Sequence, residues 1–334
     1  MTEGFDGIIG HGRSIDVLRR ALRADRLHHA YLFVGPQGVG KRKVAMALAQ
    51  AINCTGPTYA QGAPCGVCTH CTRIAAAQHP DVTLIEPDRS KARPTIKIGS
   101  VRELIRQVHY RPYEGRRRVI IIDDAEALTE EAANALLKTL EEPTGETLFV
   151  LITSRLHMLL ATIRSRSQPV RFAPLGRKDI ESHLLAHTSL SRDKAQVCAA
   201  FADGSIGQAL GLAEEGVLDG RRELVSDVAE LNASDTLKVF RVASQHARAG
   251  SQELQARLDA LKTYYRDVVL LRSGASPERV VNVDMRKALD KSAQRLTLEV
   301  AIGHIEKIDE VQSSLRGYVD AHLLLEDLLF SLAA

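Results

Sequence analysis

AYLFVGPQGVGKRKVAMALAQAI, residues 30–52, reads as an apolar strand, a glycine-rich loop and a helix in direct succession. In that context Gly35, Gly38, Gly40 and Lys41 form a phosphate-binding loop: the glycines let backbone N–H groups converge on phosphate oxygens, and Lys41 reaches the terminal phosphates. The pattern GxxxxGK[ST] requires a hydroxyl next, to reach the magnesium that accompanies a nucleoside triphosphate, and Arg42 stands there instead. Arg42 cannot ligate a cation and brings its own positive charge, so hydrolysis is worse placed than binding.

Working outward, short β-rich runs recur at 81–87, 117–123, 146–153 and 168–174, several of them apolar throughout, as strands buried on both faces of a parallel sheet are. Helical patterns lie between them. In TEEAANALLKTLEEP, Ala133, Leu136, Leu137 and Leu140 share a face and Pro143 marks the stop. The alternation predicts a doubly wound α/β domain over about the first 175 residues. After Pro174 no strand pattern remains: residues 176 to about 218 carry short helices broken at Ser189, Asp203-Gly204 and Gly216. From about 222 the helices lengthen, and Leu254, Leu258, Leu261, Tyr265 and Val268 make a stripe suited to a core or to partner helices.

The run VIIIDD (119–124) supplies a second functional element, an apolar strand ending in carboxylates. Asp123 is placed to hold magnesium through water; the next position normally carries a glutamate for the attacking water and here is Asp124, one methylene shorter. The plainer alternative is that these acids cap the following helix.

Cys54, Cys65, Cys68 and Cys71 crowd together with CxxCxxC spacing at their carboxyl end. Four thiolates suit a structural tetrahedral zinc that leaves no open position for water, with an iron–sulfur cluster or free thiols as alternatives. Cys198 reads as a small core residue. In ATIRSRSQPV (161–170), Arg166 sits between serines, where an arginine is ordinarily a surface residue or a carboxylate partner.

A chain of 334 residues suits two or three domains, and 45% hydrophobic with 25% charged residues is an ordinary soluble composition. The net charge of +3 hints only weakly at nucleic acid, and basic clusters such as 116–118 are local. With no apolar run near the roughly 20 residues of a membrane span and no signal-like start, the expectation is a cytoplasmic protein with no membrane partner.

Taken together, IIGH (8–11), LHHAYLFVGPQGVGK, the CxxCxxC, VIIIDDAEAL, AANALLKTLEEP, LLATIRSRSQ and GSIGQAL (204–210) resemble the bacterial clamp-loader family within the AAA+ ATPases. The resemblance covers the first two predicted domains well; the last third matches in its helical character and its closing LLLEDLLFSL. It implies a RecA-like AAA+ domain with a parallel sheet (1–175, zinc module about 54–71), a helical lid (176–220) and an all-α collar (221–334) that oligomerises. In that family, motor subunits of gamma/tau type bind ATP between neighbours, beside a delta-type subunit, and the assembly loads a ring-shaped sliding clamp onto primed DNA. By the same resemblance Arg166 matches the trans-acting arginine finger of a Ser-Arg-Cys element, with Ser167 replacing the cysteine, and Thr153 matches the polar first sensor. Arg42, Asp124 and Gly207, the last where motor subunits carry a lid arginine, all depart at one active site. A subunit without ATPase activity of its own is the expectation; a slow ATPase and a purely structural interaction module are the alternatives.

Overall fold

The computed structural model describes residues 4–88, 94–142, 146–214, 217–231, 235–248, 250–275, 279–315 and 320–333; Pro143 and Gly216 lie outside them. The chain divides into two compact units, one of residues 1–179 with 203–207, the other of residues 180–202 with 208–334.

The first unit is built on five strands, β1 (Ala30–Val34), β2 (Val82–Ile85), β3 (Arg118–Ile122), β4 (Thr147–Thr153) and β5 (Gln168–Arg171). They form a single parallel sheet in the order β2-β3-β4-β1-β5. The expected strands stand within a few residues of these bounds. Because side chains alternate across a strand, both sheet faces must be covered for such runs to be apolar throughout. Tyr31, Phe33, Val119, Ile121, Val150 and Ile152 pack on one face with Val44, Leu48 and Ile52 of the helix Lys41–Asn53. Leu32, Ile120, Ile122, Phe149 and Leu151 pack on the other with Val101, Leu104, Leu136 and Leu140, from the helices Ile98–Val108 and Glu130–Glu141. The latter helix is started by Thr129, whose side chain accepts from the Ala132 N–H, with Glu130 and Glu131 favourably placed in its first turn.

The order puts β1 between β4 and β5, with Val34 opposite Thr153. The phosphate loop, Thr153 and the acids after β3 therefore emerge at the same carboxyl edge, where ligands bind in open α/β sheets.

At the opposite edge, the fully buried Asp81 accepts from the backbone N–H groups of Tyr113, Glu114 and Gly115 at 2.7–2.9 Å and faces Arg118 at 3.5 Å. Arg118 donates in turn to the carbonyls of Gln107, Tyr110 and Arg111. One buried ion pair thus fixes the whole connection entering β3.

The second unit is helical among its described residues. Its long helices are Val217–Ala229, Thr236–Ala247, Ser251–Arg272, Leu298–Ser314 and Ala321–Ala333, with shorter ones at Arg192–Phe201 and Arg286–Arg295. Leu254, Leu258, Leu261, Tyr265 and Val268 are all buried in its core, so that stripe packs within the chain. Cys198 is likewise buried.

Candidate functional site

The loop after β1 has the backbone a phosphate loop needs. Gly38 and Gly40 have φ of 74° and 105°, conformations that side chains with a Cβ rarely adopt, and Gly40 leads straight into the helix at Lys41. The Gly35 N–H bonds to the carbonyl of Thr153, tying the loop to β4.

The side chains around it are satisfied from within the unit. Lys41 is buried and donates to the carbonyls of Gly35 and Pro36, each at 2.6 Å. Burial lowers its pKa, opposed by the carboxylates of Asp123, Glu126 and Asp124. Arg42 reaches across to Glu86 at 2.5 Å and to Asp123 at 3.9 Å, so its guanidinium is the counter-ion of the acid expected to hold magnesium. Burial, with the charge of Asp124, raises the pKa of Asp123. Asp124 itself has φ 48°, donates its N–H to Asp123 Oδ1 at 3.1 Å and precedes a short 3-10 turn.

A further part of the chain closes on the loop. The Gly207 N–H donates to the Gly38 carbonyl at 3.0 Å, and a Cβ on residue 207 would stand 3.1 Å from the Gly38 Cα. Gly207 therefore does more than lack an arginine: glycine is what lets this backbone approach the loop so closely.

Sequence reasoning missed Glu126. Its Oε1 accepts from the Ser154 N–H at 3.2 Å and the Ser154 hydroxyl at 2.8 Å, with Arg155 Nε at 3.5 Å, while Oε2 is buried without a partner in the described structure. Burial pushes its pKa up, but hydrogen bonds from backbone N–H groups, Thr153 and Ser154 bring it below the usual glutamate value. The structure thus gathers Lys41, Asp123, Asp124, Glu126 and Thr153 around one loop. The hint was the third acid in DDAE; only the turn after β3 shows that it faces the end of β4.

Arg166 lies elsewhere in the unit. It follows the one-turn helix Ala161–Ser165, whose end is held by Ser167 Oγ donating to the Ile163 carbonyl at 2.9 Å. Ser167 is buried, so this hydroxyl anchors the turn from within the unit. Arg166 donates to the Thr162 carbonyl at 3.1 Å and pairs with Glu141 at 2.6 Å. It borders an open cleft of about 530 Å³ shared with His28, His29, Glu141, Ser165 and Gln168.

The four clustered cysteines converge: their Sγ atoms all lie within 4.8 Å of one another. A tetrahedron with metal–sulfur bonds of about 2.3 Å separates sulfurs by about 3.8 Å, so a zinc ion fits this donor set with only small adjustments. Backbone N–H groups of Gly56 and Cys65 point at Cys54 Sγ and that of Cys68 at Cys65 Sγ, each at 3.3 Å, an arrangement suited to thiolates. Burial opposes ionisation of Cys68, yet backbone N–H groups of Cys71 and Thr55 and the Thr55 hydroxyl hold its thiol down to about 5. Burial pushes Cys54 and Cys71 up.

Beside them, His70, His79 and Glu114 also bring ligand atoms within 4.8 Å. Here the hydrogen bonds argue against a metal. His79 Nδ1 accepts from the Asp81 N–H at 3.1 Å, which puts its proton on Nε2, 2.8 Å from His70 Nδ1. The two histidines form a hydrogen-bonded chain that ends on the backbone N–H of Asp81, with Glu114 3.6 Å from His79 Nε2.

A five-stranded parallel sheet with a phosphate loop after β1, paired acids after β3 and a polar residue ending β4 defines the class, an AAA+ domain, here continued by a helical unit. Residues 10–176 match the family described as DNA polymerase III, delta subunit, and residues 216–333 its C-terminal counterpart. The chain belongs to the family of DNA polymerase III delta' subunits. The delta' subunit of Bacillus subtilis is 29% identical over 323 residues, 96% of this chain and 95% of that protein. That of Escherichia coli is 32% identical over 310 residues, 92% and 89% of the two chains. The Escherichia coli tau subunit is 36% identical over 222 residues, 65% of this chain but only 33% of tau.

Proposed function

We propose that this chain is a delta'-type subunit of the DNA polymerase III clamp loader that does not hydrolyse ATP itself and donates Arg166 to the ATP site of a neighbouring motor subunit. The observation that carries this reading is the placement of Arg42: its guanidinium lies against Glu86 and near Asp123, where an ATPase needs a hydroxyl and a magnesium ion. A divalent cation would have to displace it against like charge. Turnover also requires Lys41 to exchange two carbonyls for phosphate oxygens and Asp124 to do the work of a longer acid.

Arg166 needs none of that machinery. It sits on a turn anchored by Ser167, with its head group at an open cleft, so it can meet phosphate oxygens presented by another subunit and stabilise charge in their transition state. In this reading the chain has three parts: the AAA+ domain to about residue 175, a helical lid to about 220 and a helical collar beyond. The collar joins gamma/tau-type and delta-type subunits, and the sliding clamp and primed DNA are engaged through the assembly, in the cytoplasm. The loop at 35–41 persists because it holds β1, its helix and Gly207 in register.

Cys54, Cys65, Cys68 and Cys71 would hold a structural zinc, whose role is to replace a core in a segment with little apolar content. The freshly purified chain is expected to contain about one zinc; substantially less in a metal assay would refute that site.

The decisive experiment measures ATP turnover by the isolated chain and by the loader assembled with Arg166→Ala. The expected result is background turnover for the chain and a clear loss in the assembly. Turnover by the chain that Lys41→Ala abolishes would establish an ATPase instead, and an assembly indifferent to Arg166→Ala would leave only an interaction module.

A further inference from the structure

We propose that Glu141 is a positioning residue that parks Arg166 until a phosphate from the neighbouring subunit takes its place; the inference rests on the trans-acting role of Arg166 and names how it is regulated. Glu141 is the last residue of the helix Glu130–Glu141, and its Oε1 stands 2.6 Å from Arg166 Nη2. The other terminal nitrogen, Nη1, is held by the Thr162 carbonyl at 3.1 Å and the Ser165 hydroxyl at 3.3 Å. The guanidinium is therefore oriented by its own turn on one side and by a single carboxylate on the other.

The two sides differ in kind. Thr162 and Ser165 belong to the same turn as Arg166 and move with it, whereas Glu141 belongs to another helix and faces the same open cleft. The pair is also accessible, with side chains 34% and 47% exposed. An ion pair in that setting adds little to folding, so its consequence is orientation. A phosphate oxygen approaching Nη2 meets the carboxylate already bonded there; two anions repel each other at the same end of the guanidinium, and Glu141 must release it before the arginine can act in trans. Weak exposed pairing is what such a latch needs, because tight pairing would keep the arginine from its partner.

The test uses the reconstituted loader, with turnover confined to the motor site adjoining this chain by inactivating the other motor sites, in the absence of clamp and DNA. Glu141→Ala is expected to raise turnover there by about two- to fivefold, the scale of an exposed ion pair. Glu141→Gln, which keeps an acceptor but no charge, is expected to fall between wild type and Glu141→Ala. Raising the salt concentration should shrink the difference, since screening already loosens the pair in the wild type, an effect that a merely structural role for Glu141 would not produce. If Glu141→Ala matches or falls below wild type while Arg166→Ala still lowers turnover, the parking role is wrong and the trans role stands. If Arg166→Ala has no effect, both fall. Should Glu141→Ala fail to assemble, Glu141→Gln decides by the same criteria.

Discussion

Arg42 and Arg166 are both paired with carboxylates of the same α/β unit, and the difference between their settings separates two uses of one side chain. Arg42 begins a long helix and faces acids delivered by two other strands, Glu86 after β2 and Asp123 after β3. It is the nearest cation paired with Asp123, whose ionisation burial already resists, with Lys41 adding charge from the loop. Arg166 ends a single helical turn and meets one exposed acid at an open cleft. The two guanidiniums are comparably accessible, 47% and 34% exposed, so accessibility does not separate them. What decides between them is the number of elements that converge on the guanidinium.

The contrast can be broken most decisively at Arg166. In the assembled loader, Arg166→Ala should lower turnover at the adjoining motor site by about 10³-fold, the lower end of what an arginine finger supplies, with nucleotide binding far less affected. A loss of less than about threefold in single-site turnover would place Arg166 with the ordinary surface arginines.

Next in size is the buried pair that fixes the entry to β3. Asp81→Asn keeps the volume but leaves Arg118 facing a neutral group, and should lower unfolding stability by about 3 kcal/mol in denaturant titration. Burial pushes the Asp81 pKa up, but the N–H groups of Glu114, Tyr113 and Gly115 and the charge of Arg118 bring it below the ordinary 3.8. A carboxylate held lower in the folded state than in the unfolded chain contributes fully above about pH 4 and loses that contribution as the pH falls through its depressed folded value. Wild type and Asp81→Asn should therefore converge in stability on acidification below pH 4; a constant gap down to pH 2 would contradict this.

Arg42 offers a smaller, constructive test. Arg42→Thr restores the missing hydroxyl and removes the competing charge, and should strengthen magnesium-dependent ATP binding by roughly tenfold in calorimetry, without turnover because Asp124 and Gly207 remain. Equal binding with and without magnesium would show that Arg42 is not what excludes the metal. Smallest of all, Lys41→Ala should change the turnover of the assembled loader by less than about twofold, since among the described residues Lys41 bonds to carbonyls of its own loop.

Much of this was legible in the chain itself. The short apolar, β-branched runs within 117–123 and 146–153 read as strands covered on both faces, and they are β3 and β4. The CxxCxxC spacing brings three sulfurs together on local geometry alone, and Cys54 joins them from the end of the preceding helix. Glu126, Glu86 and Glu141 were not legible. Nothing in DDAE says which acid turns toward Thr153, and no spacing rule connects Arg42 with a residue 44 positions later or Arg166 with one 25 positions earlier. Asp81 escaped for the same reason: it reads as the polar start of a strand, while its role depends on a connection more than 30 residues further along.

The sequence by itself determined the elements, the phosphate loop and its missing hydroxyl, because strand burial, helix periodicity and loop chemistry are written in neighbouring residues. Only the tertiary structure decided what each charge does. The strand order brings Glu86 and Asp123 to Arg42, and Glu141 meets Arg166 because the end of one helix lies beside a turn from another. Electrostatic partnership depends on distance in space, and in a parallel sheet with crossover helices that distance bears little relation to separation along the chain.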